Sequence, residues 1–225
     1  MQVVIANSKG GSGKTMLATQ IAGYYACAGR RVAILDHDSQ QSSIDWVKAR
    51  PKQCAAVIPV AAYAGGSLGG RADVLIHDMP AGYDIGDIFT DISGIDKLLI
   101  PVVPSPTDMR AAIRYFMTLS RSGILDSHVS IGLVSNRSRN AIAYSKVMNE
   151  FLFRLGIPVV GIIRDTQNYI HAIKRGLSIF DLPSNRTVDD RENWDPIIKW
   201  LELAPDPVFC EQVLSDVSMS EYEVA

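Results

Sequence analysis

One stretch near the start constrains this chain more than any other. Val3-Val4-Ile5, a short apolar run, is followed at once by Ala6-Asn7-Ser8-Lys9-Gly10-Gly11-Ser12-Gly13-Lys14-Thr15, and then by a helical pattern. A glycine-rich turn between a strand and a helix lets successive backbone N–H groups point into one concavity, and the helix adds the positive end of its dipole. Lys14 can then reach β- and γ-phosphates, and the Thr15 hydroxyl can ligate magnesium. The pattern predicts a nucleoside triphosphate site built by Lys9, Gly10, Gly11, Ser12, Gly13, Lys14, Thr15 and Met16. The general motif places a glycine five residues before its Gly-Lys-Thr end; here Ser8 stands there, and an additional lysine, Lys9, precedes the glycine pair.

The remaining pattern supplies a sheet to hold such a loop. Residues 16–29 carry Leu17, Ile21, Tyr24 and Tyr25 at helical spacing, and Gly29 is placed to end the helix. Strands are expected at 31–36, 55–62, 73–78, 97–103, 129–135 and 159–164. Helices are expected at 42–50, 108–122 (capped by Pro104-Ser105-Pro106-Thr107), 142–155, 169–175 and 191–203. Strand and helix alternate almost throughout, which predicts an α/β fold: one doubly wound, mostly parallel twisted sheet flanked by helices.

The 225 residues suit one large domain, and 47% hydrophobic content suffices for its core. No run of about 18 apolar residues occurs and the loop begins within eight residues, so a cytoplasmic protein is expected, without a signal peptide. Cys27, Cys54 and Cys210 are far apart and form no C-x-x-C pair, so they are expected to be buried small hydrophobes. Although the net charge is −2, seven basic residues between Arg137 and Arg175 face only Glu150 and Asp165, while five acids and no base follow Ala204. One basic face and an acidic tail are expected, the domain covering 1–203 and the tail 204–225.

In open α/β sheets ligands gather beyond the carboxyl ends of the strands. Asp36 and Asp38 close the second expected strand, and Asp78 closes the one at 73–78. Phosphate-bound magnesium needs hard oxygen ligands and keeps some waters, which suits Thr15 directly and Asp78 through a water. His37 and His77 adjoin these acids, but side chains alternate along a strand, so neither histidine shares a face with them and a His/Asp metal site is not expected. His128 and His171 stand alone.

Lys9-Gly-Gly-Ser-Gly-Lys-Thr15 is a deviant Walker A sequence and resembles the ParA/MinD family of ATPases. The likeness extends to Asp36-x-Asp38, Asp78-Met-Pro-Ala-Gly82, Pro101-x-x-Pro104-Ser-Pro106 and Ser135-Asn136-Arg137, and runs from Met1 to about Leu182. It implies ATP and Mg2+ as ligands, with Asp78 as the Walker B aspartate. It also implies that Lys9 reaches across a nucleotide-sandwich homodimer to the partner's phosphates, that Asp38 helps to orient the attacking water, and that Asn136 and the segment around Arg164 lie near the base. Where many relatives follow the second aspartate with Pro-Gln, this chain has Ser39-Gln40.

The chain is most similar to short members that lack an N-terminal helix-turn-helix domain. That likeness implies dimerisation on ATP, binding to nucleoid DNA without sequence preference, and release when a ParB-like or cargo adaptor protein stimulates hydrolysis. The cargo would be a plasmid or chromosome partition complex, a chemoreceptor cluster or a carboxysome. Arg164, Lys174 and Arg175 are the candidate DNA contacts, because two copies of a small basic patch double the phosphate contacts. A MinD-like membrane helix should be basic and amphipathic, whereas the tail here is acidic, so no membrane partner is expected. An iron–sulfur reductase would need cysteines in a pattern this chain lacks. The alternative from another class is a P-loop metabolic enzyme of the dethiobiotin synthetase type, with a substrate site near Pro104 to Arg110.

Overall fold

The computed structural model describes residues 1–138 and 156–203. Its strands are β1 (Gln2–Ile5), β2 (Val32–Asp36), β3 (Val57–Ala61), β4 (Val74–Asp78), β5 (Lys97–Val102), β6 (Ser130–Ser138) and β7 (Val159–Arg164). They form one sheet in the order β3-β2-β4-β1-β5-β6-β7, every pairing parallel. Helices α1 (Lys14–Cys27), α2 (Ser42–Ala49), α3 (Ile88–Asp91), α4 (Pro106–Arg121), α5 (Gln167–Ile173) and α6 (Val188–Glu202) connect and cover it. The expected doubly wound α/β architecture is therefore present.

β1 shows how the layers arise. Side chains alternate across a strand, so Val3 and Ile5 join the core beneath α1, α5 and α6, while Val4 and Ala6 join the core beneath α3 and α4. α1 is buried nearly all round, from Leu17 and Ala18 through Ile21 and Ala22 to Tyr25. A helix apolar on every side is one enclosed between other elements. Leu17, Ile21 and Tyr25 of α1 share one core with Trp194, Ile197 and Leu201 of α6, and the loop before α1 is fixed by that burial.

Register sets the site. Asp36 stands opposite Asp78 in neighbouring strands, and Asp78 opposite Ile5, so both carboxylates and the glycine-rich loop emerge in one row. β1 is also where the connections reverse direction: β2, β3 and β4 lie on one side of it and β5, β6 and β7 on the other. That is the crevice where open α/β sheets bind ligands.

Several boundaries differ from the expected ones. β3 is shorter than 55–62, α5 begins at Gln167, and α6 begins at Val188 and continues through Pro196. The 169–175 expectation missed Thr166, whose hydroxyl accepts a hydrogen bond from the Asn168 amide and starts α5 two residues earlier. Contrary to expectation, Cys27 is exposed at the end of α1 and Cys54 is half-buried. The expected helix at 142–155, Cys210 and the tail 204–225 lie outside the described residues.

Candidate nucleotide site

The loop from Ser8 to Gly13 closes at Gly13, which caps α1 with φ +101°. A Cβ there would lie 2.0 Å from Asn136 Nδ2, so backbone conformation and space both demand glycine. Asn136 Nδ2 donates to the Ser12 carbonyl at 2.8 Å, and Asn136 Oδ1 accepts from the Arg137 amide. This residue is delivered by an irregularity: the β6–β7 register shifts between Ser135 and Ser138, and Arg137 adopts φ +54°. Such bulges re-aim side chains. On the opposite side, Asn7 Nδ2 donates to the Pro101 carbonyl at 2.6 Å and Asn7 Oδ1 accepts from the Lys9 amide at 3.0 Å. The loop is thus tied to β5 and to β6.

The two lysines of the loop go different ways. Lys14, 8% exposed, donates to the carbonyls of Asn7 and Lys9, each at 3.2 Å. Burial lowers its pKa, while Asp78 and Asp38 act in the opposite sense, which places both aspartates within electrostatic reach of its ammonium. Lys9 leaves the loop and pairs with Asp108 in the first turn of α4. Met16 occupies the first turn of α1, where its carbonyl accepts from the Thr19 hydroxyl.

The three aspartates have distinct surroundings. Asp36 is fully buried and fully used: Oδ2 accepts from the Ser43 and Ile44 amides at the start of α2, and Oδ1 accepts from the Asp38 amide. It caps a helix and orients Asp38, which is half-buried and accepts from the Gln40 amide at 2.9 Å. Asp78 differs. It is 1% exposed and neither of its carboxylate oxygens has a hydrogen bond of good geometry. Burial, and then Asp36, push its pKa up to about 7 against the pull of the Thr15 and Ser43 hydroxyls and of Lys14. A buried carboxylate left without donors is costly, and a cation with its water shell relieves that cost. The donor set therefore fits magnesium, with Thr15 and Asp78 as the residues that would hold it.

His37 and His77 do turn away from the acids, as alternation requires, and meet each other on the far face. His37 Nε2 lies 2.9 Å from His77 Nδ1, with the rings stacked. Burial, and then His37, lower the His77 pKa to about 3, and burial lowers that of His37. The sequence reading missed this pairing because it concerns two strands whose adjacency was not known.

Of the candidate DNA contacts, Lys174 and Arg175 are exposed at the end of α5. Arg164 does not stand free: its Nε donates to Asp190 at 2.6 Å and its Nη1 to Asp189 at 3.0 Å. Both acids lie in the first turn of α6, where carboxylates complement the helix dipole, and they compensate the charge that was expected to face a phosphate.

Comparison with known proteins agrees with this geometry. The profile of the CobQ/CobB/MinD/ParA nucleotide binding domain matches residues 3–179. Maintenance of carboxysome distribution protein A of Halothiobacillus neapolitanus is 29% identical over 189 residues, covering 80% of this chain and 87% of that protein. Among solved structures, apo McdA from Cyanothece superposes with a TM-score of 0.68 at 17% identity, over 89% of this chain and 98% of that one. The MinD cell division protein of Aquifex aeolicus does so with a TM-score of 0.62 at 20% identity, over 91% of this chain and 98% of that one. Both structural likenesses are of fold. Among the described residues, no helix is long and apolar enough to cross a membrane.

Proposed function

The chain belongs to the CobQ/CobB/MinD/ParA nucleotide-binding family, and from this we propose that it is an ATPase that positions a cargo along nucleoid DNA. ATP is held by the loop from Lys9 to Met16, with Asn136 beside it. Lys14 exchanges the Asn7 and Lys9 carbonyls for the phosphates. Thr15 and Asp78 would hold magnesium, which would neutralise charge on the phosphates. Asp38, set by Asp36, orients the attacking water. Positioning and charge stabilisation suffice for phosphoryl transfer, so an aspartate near the γ-phosphate can serve without a strong base.

The observation that carries this reading is the division of labour between two lysines on one loop: Lys14 directed inward and Lys9 directed out. An outward lysine serves a second copy of the chain. Each Lys9 crosses to the partner's phosphates in an ATP-bound homodimer, whose paired Lys174 and Arg175 contact DNA without sequence preference. A cargo adaptor of the ParB kind stimulates hydrolysis and release. The similarity to a protein named for the maintenance of carboxysome distribution favours a protein organelle as cargo.

The test is binding to a non-specific duplex with ATP, ADP or no nucleotide, at low and high salt, with oligomeric state measured alongside. Dimers that appear with ATP, bind the duplex and release it in salt support the reading. A monomer indifferent to ATP, whose hydrolysis responds instead to a small carboxylic acid or amine, rejects it in favour of a metabolic P-loop enzyme.

A further inference from the structure

Helix α4 presents an arginine row. At 3.6 residues per turn, Arg110, Arg114 and Arg121 fall within about 40° of one another and span about 16 Å of helix. All three are exposed, and among the described residues none forms an ion pair. Asp108, the only acid of α4, is committed to Lys9. Met117 sits within the same row with 49% of its surface exposed. Three cations in one row with no acid of α4 left to neutralise them, around an exposed methionine, form a positive, partly apolar stripe.

A cavity of about 280 Å3 adjoins this row, lined by Ser8, Tyr83, Asp84, Ala111, Arg114 and Tyr115 among others. Tyr115 is 5% exposed, and its phenol oxygen has no hydrogen-bond partner. A buried hydroxyl left unpaired costs free energy that an incoming acceptor recovers. Asp84 is the one acid on the cavity wall, and its Oδ1 is occupied by the Gly86 amide at 2.9 Å. Nearby, Asp91 accepts from the Tyr83 hydroxyl at 3.0 Å.

We propose that this face of α4 docks an acidic, partly apolar segment of a partner protein. Its carboxylates lie along Arg110, Arg114 and Arg121, an apolar residue covers Met117, and one glutamate enters the cavity to accept from Arg114 and the Tyr115 hydroxyl. A peptide fits better than a nucleic acid. A phosphate backbone would leave Met117 uncovered and could not insert a side chain over Tyr115. The docking claim is separate from the ATPase reading, since it is measured on nucleotide-free protein.

The experiment is fluorescence anisotropy with a labelled helical peptide that carries glutamates four residues apart around one leucine. Saturable binding is expected, weakened at least about tenfold by Arg114→Glu combined with Arg121→Glu and screened out by salt. Both positions are exposed, so the fold survives. Tyr115→Phe keeps the ring and removes the donor, and should cost a few-fold in affinity with an unchanged melting temperature. The proposal falls if no saturable binding occurs, or if charge reversal leaves binding unchanged. It also falls if a DNA duplex displaces the peptide and itself needs these arginines. Neutralising Asp206, Glu211, Asp216, Glu221 and Glu223 in the full chain gives the last outcome: a tenfold gain in peptide affinity would assign the face to the chain's own tail and overturn the partner.

Discussion

Lys9 and Asp108 form an ion pair between the glycine-rich loop and the first turn of α4. The Ser105 hydroxyl, which caps α4 by accepting from the Asp108 amide at 3.1 Å, also donates to the Asp108 carboxylate. The acid is therefore fixed before Lys9 meets it. Within one chain this pair occupies the lysine that the proposed dimer needs, so the intrachain contact and the crossing compete.

The first prediction follows from that competition. Asp108→Asn keeps the size of the side chain but releases Lys9. With side chains 38% and 15% exposed, the pair is worth about 1 kcal/mol at most, or about fivefold in an equilibrium constant. Each of the two protomers gives up one such pair, so the ATP-bound dimer of the variant should form at up to about 25-fold lower protein concentration, as read by sedimentation. An unchanged dimerisation curve would mean that Lys9 does not leave Asp108 during assembly.

Asp78 sets function against stability. Its carboxylate is buried without donors and held up to about 7. Asp78→Asn removes a charge that burial penalises more than Thr15, Ser43 and Lys14 offset, so at pH 8 nucleotide-free protein should gain about 1–3 kcal/mol against urea. Magnesium-dependent ATP binding should be lost at the same time. A variant that loses stability as well would make Asp78 a structural residue.

The site was legible in the sequence where chemistry is local. The loop from Lys9 to Thr15 and the acids at the strand ends could be read because strand, turn and helix follow one another directly in the chain. What distance in sequence hides was not legible. Nothing near Arg164 announced that Asp189 and Asp190 would take its charge, and nothing near His37 announced His77. Cys27 read as interior because a cysteine outside any pairing pattern is by default a small buried hydrophobe, yet it is exposed as the last residue of α1. The row of Ile5, Asp36 and Asp78 depends on strand order, which alternation alone does not specify.

Asn136 links β6 to the loop through a single hydrogen bond to the Ser12 carbonyl, and its amide occupies the space that Gly13 leaves. Asn136→Ala removes that brace and opens a gap beside Gly13. ATP affinity should fall about tenfold, with a stability loss of about 1–2 kcal/mol. Gly13→Ala should be far worse, because it combines a contact of 2.0 Å with φ +101°. The double variant Asn136→Ala with Gly13→Ala removes the clash but leaves the backbone strain, so isothermal titration should show only partial recovery. Full recovery would locate the whole defect in the side-chain contact.

Asp181 joins three elements away from the site, and its effect depends on pH. Arg50 donates to both of its oxygens, Nη1 to Oδ2 at 2.9 Å and Nη2 to Oδ1 at 2.8 Å, with both side chains under 5% exposed. Ser178 adds its amide and hydroxyl to Oδ2, and the exposed Cys27 thiol approaches Oδ1 at 3.4 Å. Burial alone would push the carboxyl up, but the Arg50 and Ser178 hydrogen bonds outweigh it and the pKa is lowered. As pH falls through the ordinary carboxylate value near 4, the unfolded chain takes up this proton before the folded chain does. The contribution of Asp181 is thus complete above about pH 4 and is lost as pH drops towards the lower folded value. Asp73, held down by the Arg31 guanidinium, titrates in the same acid range, so wild-type melts alone cannot isolate Asp181. The difference between wild type and Asp181→Asn can, because Asp73 is common to both. In urea melts that difference should be constant from pH 7 to about 5 and shrink below about 4. Arg50→Ala, which strands the buried carboxylate, should cost about 3–5 kcal/mol at pH 7 and recover part of it in acid, where Asp181 becomes neutral. A pH-independent difference would mean that Asp181 contributes packing and hydrogen bonds but no charge.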